Sequence, residues 1–112
     1  MTLINLTPHD INIVIVEGGD KITVPPSGIL ARVSSNQKEV FKINNIPVYQ
    51  TVFGEVENLP EPQNDTIYIV STMVLSALEK AGIDRTDVVA PNTINAIREN
   101  GQVVAITSFQ VL

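Results

Sequence analysis

The side chains that could carry chemistry in this sequence are few and widely separated. His9 is the only histidine, and Asp10 stands beside it. The chain has no cysteine, which excludes a thiol nucleophile, a disulfide and a thiolate metal site. It contains neither a helical pair of histidines nor a loop with regularly spaced Asp and Asn. We therefore expect no metal site and no cofactor.

Two serines could act as nucleophiles if His9 served as their base. Ser27 lies in a Pro-Ser-Gly turn, where backbone conformation alone favours Ser and Gly. Ser71 directly precedes a helical pattern and is explained as its N-cap. No motif supports a hydrolytic triad, so we assign no catalytic residue.

The start of the predicted helix offers a second role for Ser71 and Thr72. A strand that leads into a helix N-terminus presents free N–H groups that suit a phosphate or a carboxylate. No glycine-rich loop precedes the helix, so neither a P-loop nor a dinucleotide-binding fingerprint is present. Thr7 and His9 follow the first strand, where they either stabilise a turn or form the rim of a pocket.

The three arginines, Arg32, Arg85 and Arg98, would form an anion clamp if folding brought them to one cleft. Arg85 and Arg98 also have acidic neighbours, so exposed ion pairs are the alternative. Tyr68 and Phe109 are candidate rings for stacking on a base. The predicted ligand-binding residues are Thr7, His9, Arg32, Tyr68, Ser71, Thr72, Arg85, Arg98 and Phe109.

Composition limits the classes of partner. The 112 residues are 44% hydrophobic and only 17% charged, with a net charge of −5. The acidic balance argues against binding DNA or RNA. The low charge predicts a homo-oligomer, because a subunit interface removes the need for solubilising charge. The sequence shows no signal peptide and no apolar run of roughly 20 residues, so we expect a cytoplasmic protein without a membrane partner.

The elements that must position the candidate residues are short strands and one helix. In the first half, alternation and turn residues predict strands at 11–16, 21–24, 29–34, 39–43 and 46–52. Hairpin turns are predicted at Gly18-Gly19 and Asn44-Asn45. Residues 54–65 contain Pro60 and Pro62 and are predicted to form an exposed loop.

In the second half, residues 66–70 predict a central strand that is covered on both faces. A helix is predicted at about 71–82, with Ser71 as its N-cap and Gly82 as its stop. Strands are expected at 88–90, ended by Pro91, and at 96–99 and 103–112 around the Asn100-Gly101 turn. The sequence therefore predicts a single α+β domain at 1–112. Its sheet is mostly antiparallel or mixed, with about six to eight short strands and one main helix.

Several strings of residues resemble a widespread family of small proteins from bacteriophages, prophages and actinobacterial genomes. The most distinctive is Asn5-Leu6-Thr7-Pro8-His9, and others are Pro26-Ser27-Gly28, Tyr68-Ile69-Val70-Ser71 and the run from Arg85 to Pro91. The resemblance covers nearly the whole chain in the same order, and it implies a phage origin but no particular reaction. In size, α+β character and expected oligomerisation the chain is also similar to Thoeris anti-defence proteins of phages, which sequester nucleotide signals.

These observations lead to three functional hypotheses. The first is a phage protein of the host bacterial cytosol that sequesters a small anionic nucleotide-type ligand, such as a cyclic ADP-ribose derivative or a cyclic oligonucleotide, and so inhibits anti-phage defence. The second is a protein-binding accessory or inhibitor module, which would expose an apolar patch or a free sheet edge. The third is a nucleotide-hydrolysing enzyme that uses His9 with a carboxylate such as Glu55 or Asp87.

Overall fold

A small body carries one long β-hairpin in the computed structural model, which describes residues 1–112. One helix and ten strands confirm the α+β class. The elements are β1 (Thr2–Asn5), β2 (Ile11–Val14), β3 (Lys21–Val24), β4 (Arg32–Ile43), β5 (Ile46–Glu57), β6 (Thr66–Ile69), α1 (Thr72–Lys80), β7 (Val88–Asn92), β8 (Ile97–Glu99), β9 (Gln102–Ala105) and β10 (Ser108–Gln110).

The body is organised around a four-stranded mixed sheet with the order β1-β6-β7-β10. Strands β1, β6 and β7 are parallel, and β10 runs antiparallel to β7. The central position of β6 confirms the prediction from its continuous apolar run. Tyr68, Ile69 and Val70 are at most 1% exposed, because β6 has a strand on either side of it and α1 packs against the sheet.

Helix α1 begins and ends where its capping residues predict. The Ser71 hydroxyl oxygen accepts a hydrogen bond from the Val74 N–H at 3.3 Å, which satisfies one of the free donors of the first turn. Gly82, just past the last turn, has a φ of +71°, a conformation that glycine adopts without strain. Val74 and Leu78 lie on the buried face and join the core of the body.

Two strand predictions near the C-terminus were wrong, because strands there change partners. Pro91 lies inside β7 rather than ending it. The N-terminal half of β7 pairs with β6 and its C-terminal half with β10, so Pro91 has a strand on one side only. The predicted strand 103–112 is divided at Ile106 into β9, which pairs with β8, and β10, which pairs with β7. Ile106 itself forms a bridge with Ile13 of β2. The Ile106 N–H donates to the Asn12 carbonyl at 2.8 Å.

The long hairpin, residues 32–57, is called the arm below. Its strands β4 and β5 have 12 residues each, so the separate strands predicted at 29–34 and 39–43 are one element. The Asn44-Asn45 turn is confirmed. Its φ angles are +48° and +66°, and positive φ at both positions is what a two-residue turn needs if its twist is to match that of the strands. Residues 54–57 belong to β5 rather than to the predicted loop.

The arm pairs with no third strand and makes the molecule elongated. Strands β4 and β5 form a two-stranded sheet of their own. The radius of gyration is 17.0 Å, whereas a compact domain of this length would have about 13 Å. The longest dimension is 57 Å. Only 14 of 112 residues are buried, and all of them lie in the body.

A buried asparagine holds the N-terminal part of the body together. Asn5 is 1% exposed, and its amide makes four hydrogen bonds. Its Nδ2 donates to the carbonyls of His9, at 2.7 Å, and Val24, at 3.0 Å. Its Oδ1 accepts from the N–H and the hydroxyl of Thr7 at 2.9 and 2.7 Å. The Asn5–His9 string therefore has a structural role, in which one side chain joins β1, β3 and the turn that follows β1.

We expect Asn5→Ala to lower the free energy of unfolding by about 2–4 kcal/mol, because it removes four hydrogen bonds and leaves part-buried groups such as the Thr7 N–H and the Val24 carbonyl without their partner. Urea unfolding of the variant would measure the loss. Asn64→Ala is the control, since Asn64 is exposed and its side chain makes no hydrogen bond; its effect should stay within about 0.5 kcal/mol. Equal effects of the two substitutions would contradict the role assigned to Asn5.

Candidate functional site

Arg85 is used by the fold rather than left for a ligand. Its Nε and Nη2 donate to the two carboxylate oxygens of Asp87 at 2.8 and 2.9 Å, and Nη2 also donates to the Pro60 carbonyl at 2.9 Å. The side chains of the pair are only 16% and 15% exposed. The hydrogen bond from Arg85 is the main reason why the pKa of Asp87 lies below its ordinary value and the pKa of Arg85 above it.

Two other candidates are explained by the same region. The Tyr68 ring is in the core, and its hydroxyl donates to the Glu61 carbonyl at 3.1 Å, so the ring is not accessible for stacking on a base. Together with Arg85, Tyr68 holds the loop at residues 58–65 against the body. Asp87 was a candidate acid or base, but both of its oxygens accept hydrogen bonds from Arg85 and its lowered pKa keeps it ionised.

The remaining arginines have separate partners, so the three guanidinium groups form no common clamp within one chain. Arg32 Nε contacts Glu57 Oε2 at 3.1 Å across the base of the arm, and both side chains are exposed. Arg98 donates to the Gly101 carbonyl at 3.3 Å in the β8–β9 turn. Arg32 and Arg85 line different cavities.

One cavity nevertheless brings together three of the predicted residues. Thr7, Arg32 and Ser71 come from distant parts of the sequence and line a cavity of about 240 Å³ with Leu6 and Met73. The Thr7 hydroxyl donates to Asn5 and the Ser71 hydroxyl caps α1. Arg32 uses only its Nε for Glu57, so its terminal nitrogens Nη1 and Nη2 remain available to an anion.

The three predicted residues still to be placed, His9, Thr72 and Phe109, do not line this cavity either. His9 is exposed, and its ring makes no hydrogen bond. Phe109 is half-buried in β10, opposite Pro91. Thr72 lines a neighbouring, larger cavity and accepts a weak hydrogen bond from Gln110 at 3.4 Å.

That larger cavity, of about 470 Å³, lies between α1 and the base of the arm. Val33 and Phe53 contribute from the arm, and Met73, Ala77 and Lys80 from the helix. This cavity was not predicted from the sequence. Small residues on the outer face of the helix could have indicated that another element lies close to it. The sequence did not show that this element is the base of the arm.

The distal end of the arm carries an apolar group that we call the tip cluster, which consists of the exposed residues Phe41, Ile43 and Ile46 and the half-buried Val48. Phe41 is directly opposite Val48, and Ile43 is opposite Ile46. Directly opposed residues share a face of the hairpin, so the four side chains lie on the same face. The sequence predicted strands here but not the cluster, because register decides which residues of two strands meet.

The edges of the arm are protected against pairing with further strands. Pro47 of β5 has no N–H, and its partner Lys42 places a charge on the other strand. Register shifts between Glu39 and Phe41 and between Val33 and Ser35 interrupt the ladder. Proline, lysine and bulges are the means by which natural sheets avoid edge-to-edge association. The exposed apolar surface of the arm therefore lies on a face rather than along an edge.

Comparisons with known proteins identify no relative: no protein-family model, no curated protein and no solved structure matches the chain. No group of three or more His, Asp or Glu side chains lies together in the structure. The helix is too short to cross a membrane.

The Arg85–Asp87 pair gives stability a defined pH dependence. Because the pKa of Asp87 is lowered by folding from about 3.8, its contribution is present above about pH 4 and is lost as pH falls through the folded-state pKa. We expect Asp87→Asn to lower the free energy of unfolding by about 3 kcal/mol at pH 7 and by clearly less at pH 3. Urea unfolding at both pH values measures the difference.

Asp84→Asn is the matched control for this pair, since Asp84 is exposed and makes no ion pair. It should change stability little at either pH. A deficit in Asp87→Asn that is the same at pH 7 and pH 3 would show that the charge of Asp87 does not matter.

Proposed function

We propose that the protein is a self-assembling binding module that acts through its arm. The observation that supports this proposal is a hairpin of two 12-residue strands that has no third strand and exposes large apolar side chains. An isolated two-stranded hairpin is at best marginally stable in water. A surface that covers one face of the arm would both stabilise the hairpin and remove its apolar side chains from solvent.

The exposed apolar side chains are numerous enough to matter. On the arm, the exposed large residues are Val40, Phe41, Ile43, Ile46, Tyr49, Val52 and Phe53. Four of them, Phe41, Ile43, Ile46 and Val52, share one face of the hairpin, whereas Tyr49 and Phe53 lie on the other. Single exposed apolar residues are normal, but several on one face of an elongated element mark an interaction site. This feature corresponds to the protein-binding hypothesis of the sequence analysis and to the homo-oligomer expected from low charge.

The distribution of charge favours association through the arm. The arm carries three basic residues and three acidic ones, so the net charge of −5 belongs to the rest of the chain. Two copies that meet through their bodies would bring acidic surfaces together. Two copies that meet through neutral arms avoid this repulsion.

The test is to shorten the arm and measure molar mass by light scattering during gel filtration. Replacing residues 39–49 with Asn-Gly keeps the Lys38–Gln50 pair beside a two-residue turn. We expect the intact chain to have a mass above the 12.2 kDa of one copy and the shortened variant to be monomeric. Cooperative thermal unfolding of the variant is the control for a folded body. An intact chain that stays monomeric at high concentration would refute the proposal.

A second candidate function is the binding of a small anionic nucleotide-type ligand by the cavity at Thr7, Arg32 and Ser71. The convergence of these three residues supports it, together with the free terminal nitrogens of Arg32 and the N-terminal end of α1 nearby. In a protein of phage origin such a ligand would be a nucleotide immune signal that is sequestered rather than converted. Arg85 and Tyr68 have no part in this version of the site.

Thermal shift with cyclic ADP-ribose derivatives and cyclic oligonucleotides tests this candidate. A ligand at about 100 times its Kd should add about 2.7 kcal/mol to the free energy of unfolding. Arg32→Met should abolish the shift, whereas Arg98→Met should not, because Arg98 lies outside the cavity. No shift with any nucleotide would refute binding. Turnover that is lost in His9→Ala would instead indicate the nucleotide-hydrolysing alternative.

A further inference from the structure

We propose that the occupant of the tip cluster is a second copy of this chain, whose arm packs face to face through the same residues about a two-fold axis. This inference rests on the proposed assembly function and specifies its partner and its surface. It is carried by four observations: the placement of the cluster on one face, the protected edges, the available area and the charge of the arm.

The two faces of the distal arm differ in chemistry. The tip cluster lies on one face, and Val52 extends it toward the body, because Val52 is opposite Asn36 and an even number of residues from Val48. The opposite face carries Lys42, Pro47 and the Glu39–Tyr49 pair. Only the first face has an apolar centre, which is the composition of an interface core.

Protected edges decide how a second arm can approach. Pro47 removes a donor from the outer edge of β5, and the two register shifts bend the hairpin, so both features disfavour extension of the sheet by a second copy. Sheets that associate through their faces instead interdigitate side chains at a spacing of about 10 Å. Contact between faces is therefore the geometry that remains open to the arm.

The area is sufficient for the apolar core of a dimer. Phe41, Ile43 and Ile46 are 56%, 55% and 63% exposed. With Val48 and Val52, such half-exposed side chains offer on the order of 400 Å² of apolar surface per copy, about half of the ~800 Å² per partner in a standard interface. Polar residues on the same face, Asn36, Lys38 and Gln50, would form the rim.

Charge favours a second copy. Lys38 is the only charged residue that register places on this face along the distal arm, so two such faces meet with little repulsion. Strands of 12 residues are about 40 Å long, and antiparallel arms would hold the two acidic bodies apart by more than the screening length of about 8–10 Å. A two-fold contact uses the same patch twice and therefore closes as a dimer.

The experiment compares Phe41→Ser with Tyr49→Ser by light scattering over a range of concentrations. The two aromatic residues are matched in exposure, 56% and 52%, but lie on opposite faces of the arm. We expect the wild type and Tyr49→Ser to be dimeric, and Phe41→Ser to shift by at least tenfold toward the monomer. Phe41→Leu should restore the dimer. Circular dichroism confirms that each variant retains the folded body.

The outcomes separate the failure of this inference from the failure of the proposed function. An oligomer that Tyr49→Ser dissociates and Phe41→Ser does not would place the interface on the other face. A mass that rises beyond the dimer would indicate insertion of the tip into the cavity beside Phe53 of the next copy, and would overturn the two-fold contact. Both results keep assembly through the arm. A wild type that is monomeric at every concentration overturns the inference and the proposed function together.

Discussion

The structure depends on one constraint: a hairpin of 24 strand residues has an apolar face that no other part of the same chain covers. In the body, the helix and the central sheet pack into a small core around Val70, Val74 and Val88. Nothing in the body reaches the distal arm. An isolated hairpin of this kind is at best marginally stable in water, and in the proposed assembly a second copy would supply the cover that the chain itself lacks.

Polar residues of the body mainly replace packing that so small a core cannot supply. Asn5 connects three segments through one buried amide, and Arg85 fixes the 58–65 loop through Asp87 and a backbone carbonyl. Both belong to strings that look functional in the sequence. Distinctive polar residues in a small domain can therefore reflect satisfied hydrogen bonds at chain crossings, and these must be separated from residues whose polar atoms remain free.

Features governed by local chemistry were predictable from the sequence, whereas features governed by the choice of partner were not. Ser71 and Gly82 bound the helix, and the Asn44-Asn45 turn sets the hairpin, because capping and positive φ depend on adjacent residues. The prediction that Pro91 ends its strand was wrong, because a sheet tolerates proline where only one side of the strand is paired. Whether Arg32, Arg85 and Arg98 converge also depends on non-local contacts. In the structure each guanidinium donates to a separate acceptor, and the three do not share a cleft.

If the protein assembles and binds an anion as proposed, the two events would be linked at the base of the arm. Arg32 is the first residue of β4 and its partner Glu57 is the last residue of β5, so the ion pair that orients Arg32 spans the hairpin at the body. A partner that holds the distal arm in one position would restrict this pair as well. Ordering Arg32 in advance lowers the entropy that an anion in the adjacent cavity would otherwise have to remove, so binding would strengthen on assembly. By thermodynamic reciprocity, an anion bound there would in turn favour the assembled state.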